Sequence, residues 1–454
     1  MKNILTKYNT ANSLLIISSY PERGVRYSGK VCAVGGVAKN TVKSLQTSLK
    51  ERKEKRPIIV LTVTTGKREM YVEDNVLVIR CFERNKILSY ISIYKKLLQF
   101  NNVVDVLVEF EFASFGNAKT TGLFPLVLFL LRLLNKNTTL VLHQVLTNVS
   151  EIAGHIGMTK ESPNTIVLNI FLKLFYRAIT LFPQHIIVLE EVFKKRLEGL
   201  TNNNKITVIP HGVDQNMKKI SRNVARKALG IKENEKILLY FGYLTWYKGA
   251  DWLVKTIASQ KKKTKNSKLK LVVAGGPSFT QKGKAHYDKY VNKIYKLAGK
   301  SKNITITGFV NEKDISLYFA ACDLVVLPYR TMLSSSGPLS LTCSFGKPLL
   351  LSNHLKAYTY SRDFQEAMKE SDLSINDLFF PLQEKSFLKK VQILSKGDIK
   401  KLQTFSTLLG QKRAFTNLSK AYYNLLSSVG FYSKLANSII TPVYLRIYAR
   451  RHER

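Results

Sequence analysis

The chain has 454 residues, 45% of them hydrophobic and 10% aromatic, which is enough apolar material for sizeable cores and too long for one domain of ~100–200 residues. That composition excludes an intrinsically disordered chain and makes two comparable domains the natural expectation. Lys and Arg number 71 against 31 Asp and Glu, a formal net charge of +40; the field would attract nucleic acid, anionic lipid or a phosphorylated substrate, and a Lys-rich habit serving solubility alone is the bland alternative.

Taken in chain order, the N-terminus offers an apolar run of only Leu14–Ile17, shorter than the core of a signal peptide, so a chain without a secretion signal is expected. Cys32, Cys81, Cys322 and Cys343 show neither CxxC spacing nor a dense framework; a reducing, cytoplasmic setting fits, with no metal site and no resident cofactor. Short β-rich apolar runs at 14–18, 58–64, 76–81, 103–110, 139–143 and 186–189 alternate with helical stretches, the pattern of a parallel α/β sheet. The first loop, GGVAKN, carries Gly35 and Gly36 ahead of a helix, where backbone N–H groups can meet a phosphate, although a plain turn is the commoner reading. Residues 123–134 (LFPLVLFLLRLL) fall short of the ~20 needed to span a bilayer and read as a buried helix. Residues 166–182, broken by Lys173 and Arg177, read as a core or interface-lying helix.

A polar, Lys/Arg-rich interval at 215–235 reads as the linker, followed by strands at 237–241, 269–274, 304–307, 324–327 and 349–352. Beyond about residue 400 the strand signal stops; 405–427 reads as one helix, and 429–454 is a basic, aromatic tail. The expected partition is 1–215, 216–410 and 411–454, the last a helix returning toward the first domain plus the tail. Two doubly wound Rossmann-like domains in this order turn their strand C-terminal ends toward a shared cleft. There Glu109 and Glu111, at period two, share one strand face as acceptor-hydroxyl or base candidates, with a half-exposed strand as the blander reading.

The second half contains an ordered set: IPHGVD at 209–214, FGYLTWYKGADWLV at 241–254, VVAGGP at 272–277, ITGFVNEKDISLYFAACDLVVLPYR at 306–330 and SSSGPLSLTCSFGKPLLLS at 334–352. In that order and spacing the chain resembles glycosyltransferase family 4, whose two facing Rossmann-like domains form the GT-B fold. The resemblance covers residues 10 to 425 and implies a retaining hexosyltransferase using a nucleotide-sugar donor. It makes Lys248 the stabiliser of leaving-group charge and places His143 near the transferred sugar. It also has the backbone of Gly308, Phe309 and Val310 read the base, which does not separate UDP from GDP; similarity to SSG-type sequences points to mannose. Ser335, Ser336, Gly337, Pro338 and Leu339 would surround the diphosphate at a helix N-terminus, with Ser336 also an N-cap.

The chain also departs from the family. Two glutamates eight positions apart are replaced by Leu333 and Leu341, and an arginine of the diphosphate loop by Tyr243. Arg330 is the candidate replacement cation. The basic stretch 41–56 and Arg446, Arg450, Arg451 and Arg454 of the tail would hold the protein peripherally on an anionic membrane, beside a saccharide or lipid-linked acceptor. Nucleic acid is set aside for want of a recognition-helix, zinc-finger or RNP-type signature; a non-catalytic sugar-nucleotide-binding partner of another transferase stays open.

Overall fold

Strands such as IIVLTV and VLVIRCF, buried at every position, leave no solvent face, which is the mark of parallel sheets covered on both sides. The computed structural model describes residues 2–159, 163–201, 205–260 and 269–426. Its first sheet comprises β1 (Leu14–Ile17), β2 (Ile58–Val63), β3 (Glu69–Glu73), β4 (Val76–Phe82), β5 (Asp105–Phe110), β6 (Asn137–Leu142), β7 (His185–Val188) and β8 (Ile206–Val208), in the order β3-β4-β2-β1-β5-β6-β7-β8. Pairing is parallel except for β3, which lies antiparallel on β4 at one edge. The second sheet comprises β9 (Lys236–Phe241), β10 (Leu269–Ala274), β11 (Ile304–Ile306), β12 (Leu324–Leu327), β13 (Leu349–Ser352) and β14 (Phe379–Phe380), in the order β11-β10-β9-β12-β13-β14.

Alternate residues of β1 divide the first domain into two layers. Leu14 and Ile16 pack with Val42, Leu45 and Leu49 of the helix Val34–Glu51 and with Leu418, Tyr422 and Leu426 of a helix at 415–426. Leu15 and Ile17 face the other side, with Ile93 of the helix Ser89–Gln99, Leu128 of Phe124–Leu133 and Tyr176 of Pro163–Leu181.

The single helix expected at 405–427 is two helices: Lys396–Lys412, then 415–426. At the break the chain pairs with Val213, just ahead of the linker, Val213 N donating to the Arg413 carbonyl at 2.8 Å and Phe415 N to the Val213 carbonyl at 3.1 Å. The later helix then lies on the first domain, where Ser44 Oγ donates to the Phe415 carbonyl at 2.6 Å. The interval 215–235 is not a bare linker either, since the helix Arg222–Ala228 packs Ala225 against Ala320 and Ala321 of the second domain.

At this crossing the Arg413 guanidinium is buried between Glu190 of the first domain, at 2.8 and 3.1 Å, and Asp363 of the second, at 2.6 and 3.2 Å. Removing one partner of a buried ion pair strands the others, so Arg413→Ala is expected to lower unfolding stability by ~3–5 kcal/mol. Denaturant unfolding checks this, and a loss near zero would show that the clasp is dispensable.

Two expected elements differ in exposure and extent. The helix Phe124–Leu133 is not buried throughout: Leu126, Phe129 and Leu133 are exposed, because only every third or fourth residue meets the sheet. The basic helix ends at Glu51, beyond which Arg52 lies over the Tyr423 ring and Arg56 bonds Asp105. Arg446, Arg450, Arg451 and Arg454 lie outside the described residues.

Candidate active site

Glu111 follows β5, His143 follows β6 and His211 follows β8. Gly242, Gly275 and Phe309 follow β9, β10 and β11. All six line one cleft of about 1240 Å³ between the two sheets, together with Gly36, Tyr243, Lys248, Val310, Ser335, Gly337, Pro338 and Leu341. The strand C-terminal ends of both domains therefore converge on one site, as open α/β sheets arrange their ligands.

Lys248 ends the turn Trp246–Lys248. Gly249 holds φ +71°, where a Cβ would stand 2.0 Å from the Pro328 carbonyl oxygen, so only glycine lets the chain turn here. A Cβ on Gly242 would stand 3.3 Å from Lys248 Nζ, so that glycine gives the ammonium its passage. Arg330 is not a diphosphate cation: its fork grips Asp251 at 2.8 Å through both nitrogens and donates to the Trp246 carbonyl at 2.6 Å. It braces the turn that carries Lys248.

Burial pushes the Lys248 ammonium down to about 8, with Glu111 pulling the other way. Burial likewise raises Glu111, against His143, Lys248 and Arg84, and Glu111 Oε2 is buried without a hydrogen-bond partner. A lysine poised near 8 is readily reprotonated by an arriving diphosphate. Donor binding near that pH should therefore take up a fraction of a proton, and affinity should fall as the pH rises through it. Calorimetry in buffers of different ionisation enthalpy measures the uptake; none, with flat affinity across that range, would place Lys248 away from the phosphates.

Glu109 and Glu111 divide their tasks. Glu109 is buried at 1% exposure with Oε2 3.3 Å from His143 Nε2 and 3.4 Å from Ser18 Oγ. It orients the histidine and does not line the cleft, so the acceptor reading fails for it. His143 is itself buried at 5% exposure, with Nε2 turned to Glu109. His211, present in the IPHGVD stretch but given no role from sequence, also lines the cleft. Burial pushes it down to about 4, so it is neutral, with Nδ1 3.0 Å from the Gly212 carbonyl.

The glycine-rich start differs from its sequence reading. Gly35 and Gly36 sit within the first turn of the helix Val34–Glu51, and their N–H groups already donate to the Cys32 and Ala33 carbonyls at 2.9 and 3.2 Å. A Cβ on Gly36 would be 2.9 Å from the Tyr27 ring and one on Gly35 3.1 Å from the Val31 side chain, so these glycines give room to the preceding 20–31 segment. That segment, which carried no sequence signal, crosses to the second domain. Arg26 N donates to Glu312 at 2.7 Å, Arg26 Nε donates to the same carboxylate at 2.7 Å, and its guanidinium also pairs with Asp214.

In the SSSGP segment the helix Gly337–Ser344 begins at its expected cap: Ser336 Oγ accepts from Leu339 N at 3.2 Å and lies 3.0 Å from Tyr329 Oη. This occupies Leu339 N–H, Pro338 has none, and Ser335 Oγ donates to Glu190 at 2.7 Å. Of the first three helical positions, Gly337 keeps an N–H for an anion. Leu339 and Ser336 are thus supports, and neither lines the cleft. Gly308, at φ +75°, is also outside the lining, whereas Phe309 and Val310 are within it, Phe309 stacked 6.2 Å from Tyr243. Leu341 borders the cleft, while Leu333 packs across the domains with Leu146, Val149 and Ile152.

Two doubly wound domains clasped by a returning C-terminal helix around such a cleft define the GT-B fold. Sucrose-phosphate synthase from Thermosynechococcus elongatus superposes with a TM-score of 0.69 at 14% identity, over 92% of this chain and 98% of that one. Anabaena HepE, solved in complex with UDP-glucose, does so with a TM-score of 0.62 at 15% identity, over 92% and 99%. Residues 221–366 match the family model described as glycosyl transferases group 1. An uncharacterized glycosyltransferase of Methanocaldococcus jannaschii is 26% identical over 133 residues, 28% of this chain and 31% of that relative. This chain thus matches less than a third of that curated relative's length.

Proposed function

We propose that the protein transfers a hexose from a nucleoside diphosphate sugar to a saccharide or lipid-linked acceptor, retaining the anomeric configuration. The observation that carries this reading is the half-buried Lys248 ammonium facing a cleft shared by Gly337 at a helix N-terminus and by Glu111 and His143 of the opposite domain. The diphosphate rests on Gly337 and Lys248, whose charge stabilises the departing nucleotide. The sugar lies toward His143 and Glu111.

Two carboxylates line the cleft among the described residues, and Asp214 is paired with Arg26. That leaves Glu111, raised by burial, to meet the acceptor hydroxyl. In a same-face reaction the acceptor oxygen bonds the anomeric carbon as the bond to the diphosphate oxygen breaks. The leaving phosphate takes the acceptor proton, so no protein nucleophile is required.

HepE was solved with UDP-glucose, which supports a uridine nucleotide as readily as the SSG-type resemblance supports GDP-mannose. Single-turnover sugar release from these two donors decides between them. Release from neither, with tight nucleotide binding, would favour the non-catalytic binding partner. Because a leucine stands at the expected ribose-binding carboxylate, a charge-assisted hydrogen bond of ~1.5–3 kcal/mol is missing. A 2′-deoxyribose donor should bind nearly as well as the native one in calorimetry, and a large loss would show that another group holds the ribose. On this proposal the enzyme sits peripherally on the cytoplasmic face of a membrane, a reading supported by its four buried free cysteines and its excess of positive charge.

A further inference from the structure

The helix Pro163–Leu181 turns Thr165, Tyr176 and Ile179 inward and leaves Ile166, Ile170, Phe171 and Leu174 exposed, Phe171 at 65% and Ile166 at 67%. It is long and apolar enough to cross a membrane by length and composition, with only 22% of its most apolar window buried. Its neighbour Phe124–Leu133, joined to it through rings of Phe129 and Phe182 5.5 Å apart, adds exposed Phe129 and Leu133. Contiguous apolar surface of this kind marks an interaction site.

Charge says what covers it. The helices Ser89–Gln99, Phe124–Leu133 and Pro163–Leu181 contain no Asp or Glu and carry Lys95, Lys96, Arg132, Lys173 and Arg177. Apolar side chains among cations, without a carboxylate, complement the interface of an anionic bilayer. A transmembrane reading fits less well. Tyr176 Oη accepts from Leu146 N at 2.9 Å and Asn169 Oδ1 from Val149 N at 2.7 Å, so one side of the helix is tied to the loop that follows His143. The basic stretch at 41–51 lies on the opposite face of the first sheet, so the two surfaces cannot both lie on one flat membrane.

We propose that the exposed faces of Pro163–Leu181 and Phe124–Leu133 seat the protein in the headgroup layer of an anionic phospholipid bilayer. The seat is continuous, through Tyr176 and Asn169, with the His143 side of the cleft. This deepens the membrane-presented-acceptor part of the proposed function by naming the docking face, and it rests on that part alone. An acceptor carried by lipid then enters the cleft from the side where His143 and Glu111 stand.

The test is co-sedimentation of the full chain with phosphatidylcholine vesicles containing phosphatidylglycerol, against phosphatidylcholine alone. The native protein and a Phe171→Ser, Leu174→Ser variant are compared, with Lys50→Gln on the opposite face as control. The expected result is preference for the anionic vesicles, a fall of ~10-fold or more in the double variant, and little change in the control. Equal binding by the double variant, or loss in the control instead, overturns the proposal. So does retention in an alkaline carbonate wash, which marks a span, or a native dimer that the double variant dissolves, which marks a second copy as the occupant. UDP and GDP binding by calorimetry should be equal in native and double variant; if neither nucleotide binds the native protein, the transferase reading fails while the vesicle result stands.

Discussion

Lys248→Ala is expected to lower sugar transfer by on the order of 100-fold at saturating donor while leaving the fold intact, as losing one preorganised electrostatic stabiliser does. The structure explains why the effect falls on turnover. Glu111 alone among nearby groups pulls the half-buried ammonium toward its charged form, so its strongest partner is the charge that grows on the departing diphosphate. The turn survives the change because it is fixed elsewhere, by Gly249 against Pro328 and by Arg330 on Asp251 and the Trp246 carbonyl. Steady-state kinetics with the identified donor measure it; near-native kcat would remove Lys248 from the chemistry.

Gly337→Val should abolish donor binding, weakening it by on the order of 100-fold or more through steric exclusion at the phosphate position. A Cβ on Gly337 meets no heavy atom within 4 Å, so the added side chain projects into open cleft without disturbing the protein. Its cap is intact too, since Ser336 Oγ still receives Leu339 N–H. Calorimetry with the donor, beside an unchanged thermal midpoint, is the check. Donor binding at native strength would show that the diphosphate lies elsewhere.

The two variants test different halves of one reading, and they show what the sequence makes legible. Long parallel strands such as β2 and β4 are buried on both faces and so announce themselves as continuous apolar runs. The short edge elements β3, β8 and β14 carry no such signal: EMYVE, ITV and FF are too brief or too polar. In the site, the family resemblance pointed to the Lys248 turn, and the Ser336 cap could be read from its own neighbours because capping is local. Arg330 reads as a free cation only until Asp251, far along the chain, is seen in its grip. The same holds for Ser335, whose hydroxyl goes to Glu190.

The glycine-rich segment was only partly legible for a related reason. Gly-Gly at a helix start means close backbone approach, but sequence does not say by what; here it is Val31 at Gly35 and the Tyr27 ring at Gly36. The exposed face of Pro163–Leu181 was partly legible, since Lys173 and Arg177 interrupt its apolar run. Which of its residues face outward depends on contacts that only the folded chain defines.

The most direct measurement is product mass spectrometry and anomeric analysis after incubating the protein, a panel of nucleotide sugars and lipid-linked or oligosaccharide acceptors. The account predicts consumption of a nucleoside diphosphate hexose, an acceptor enlarged by one hexose in the donor's anomeric configuration, and strong reduction of that product with Lys248→Ala. An inverted product would contradict same-face attack, and tight donor binding without any enlarged acceptor across the panel would contradict catalysis at this cleft.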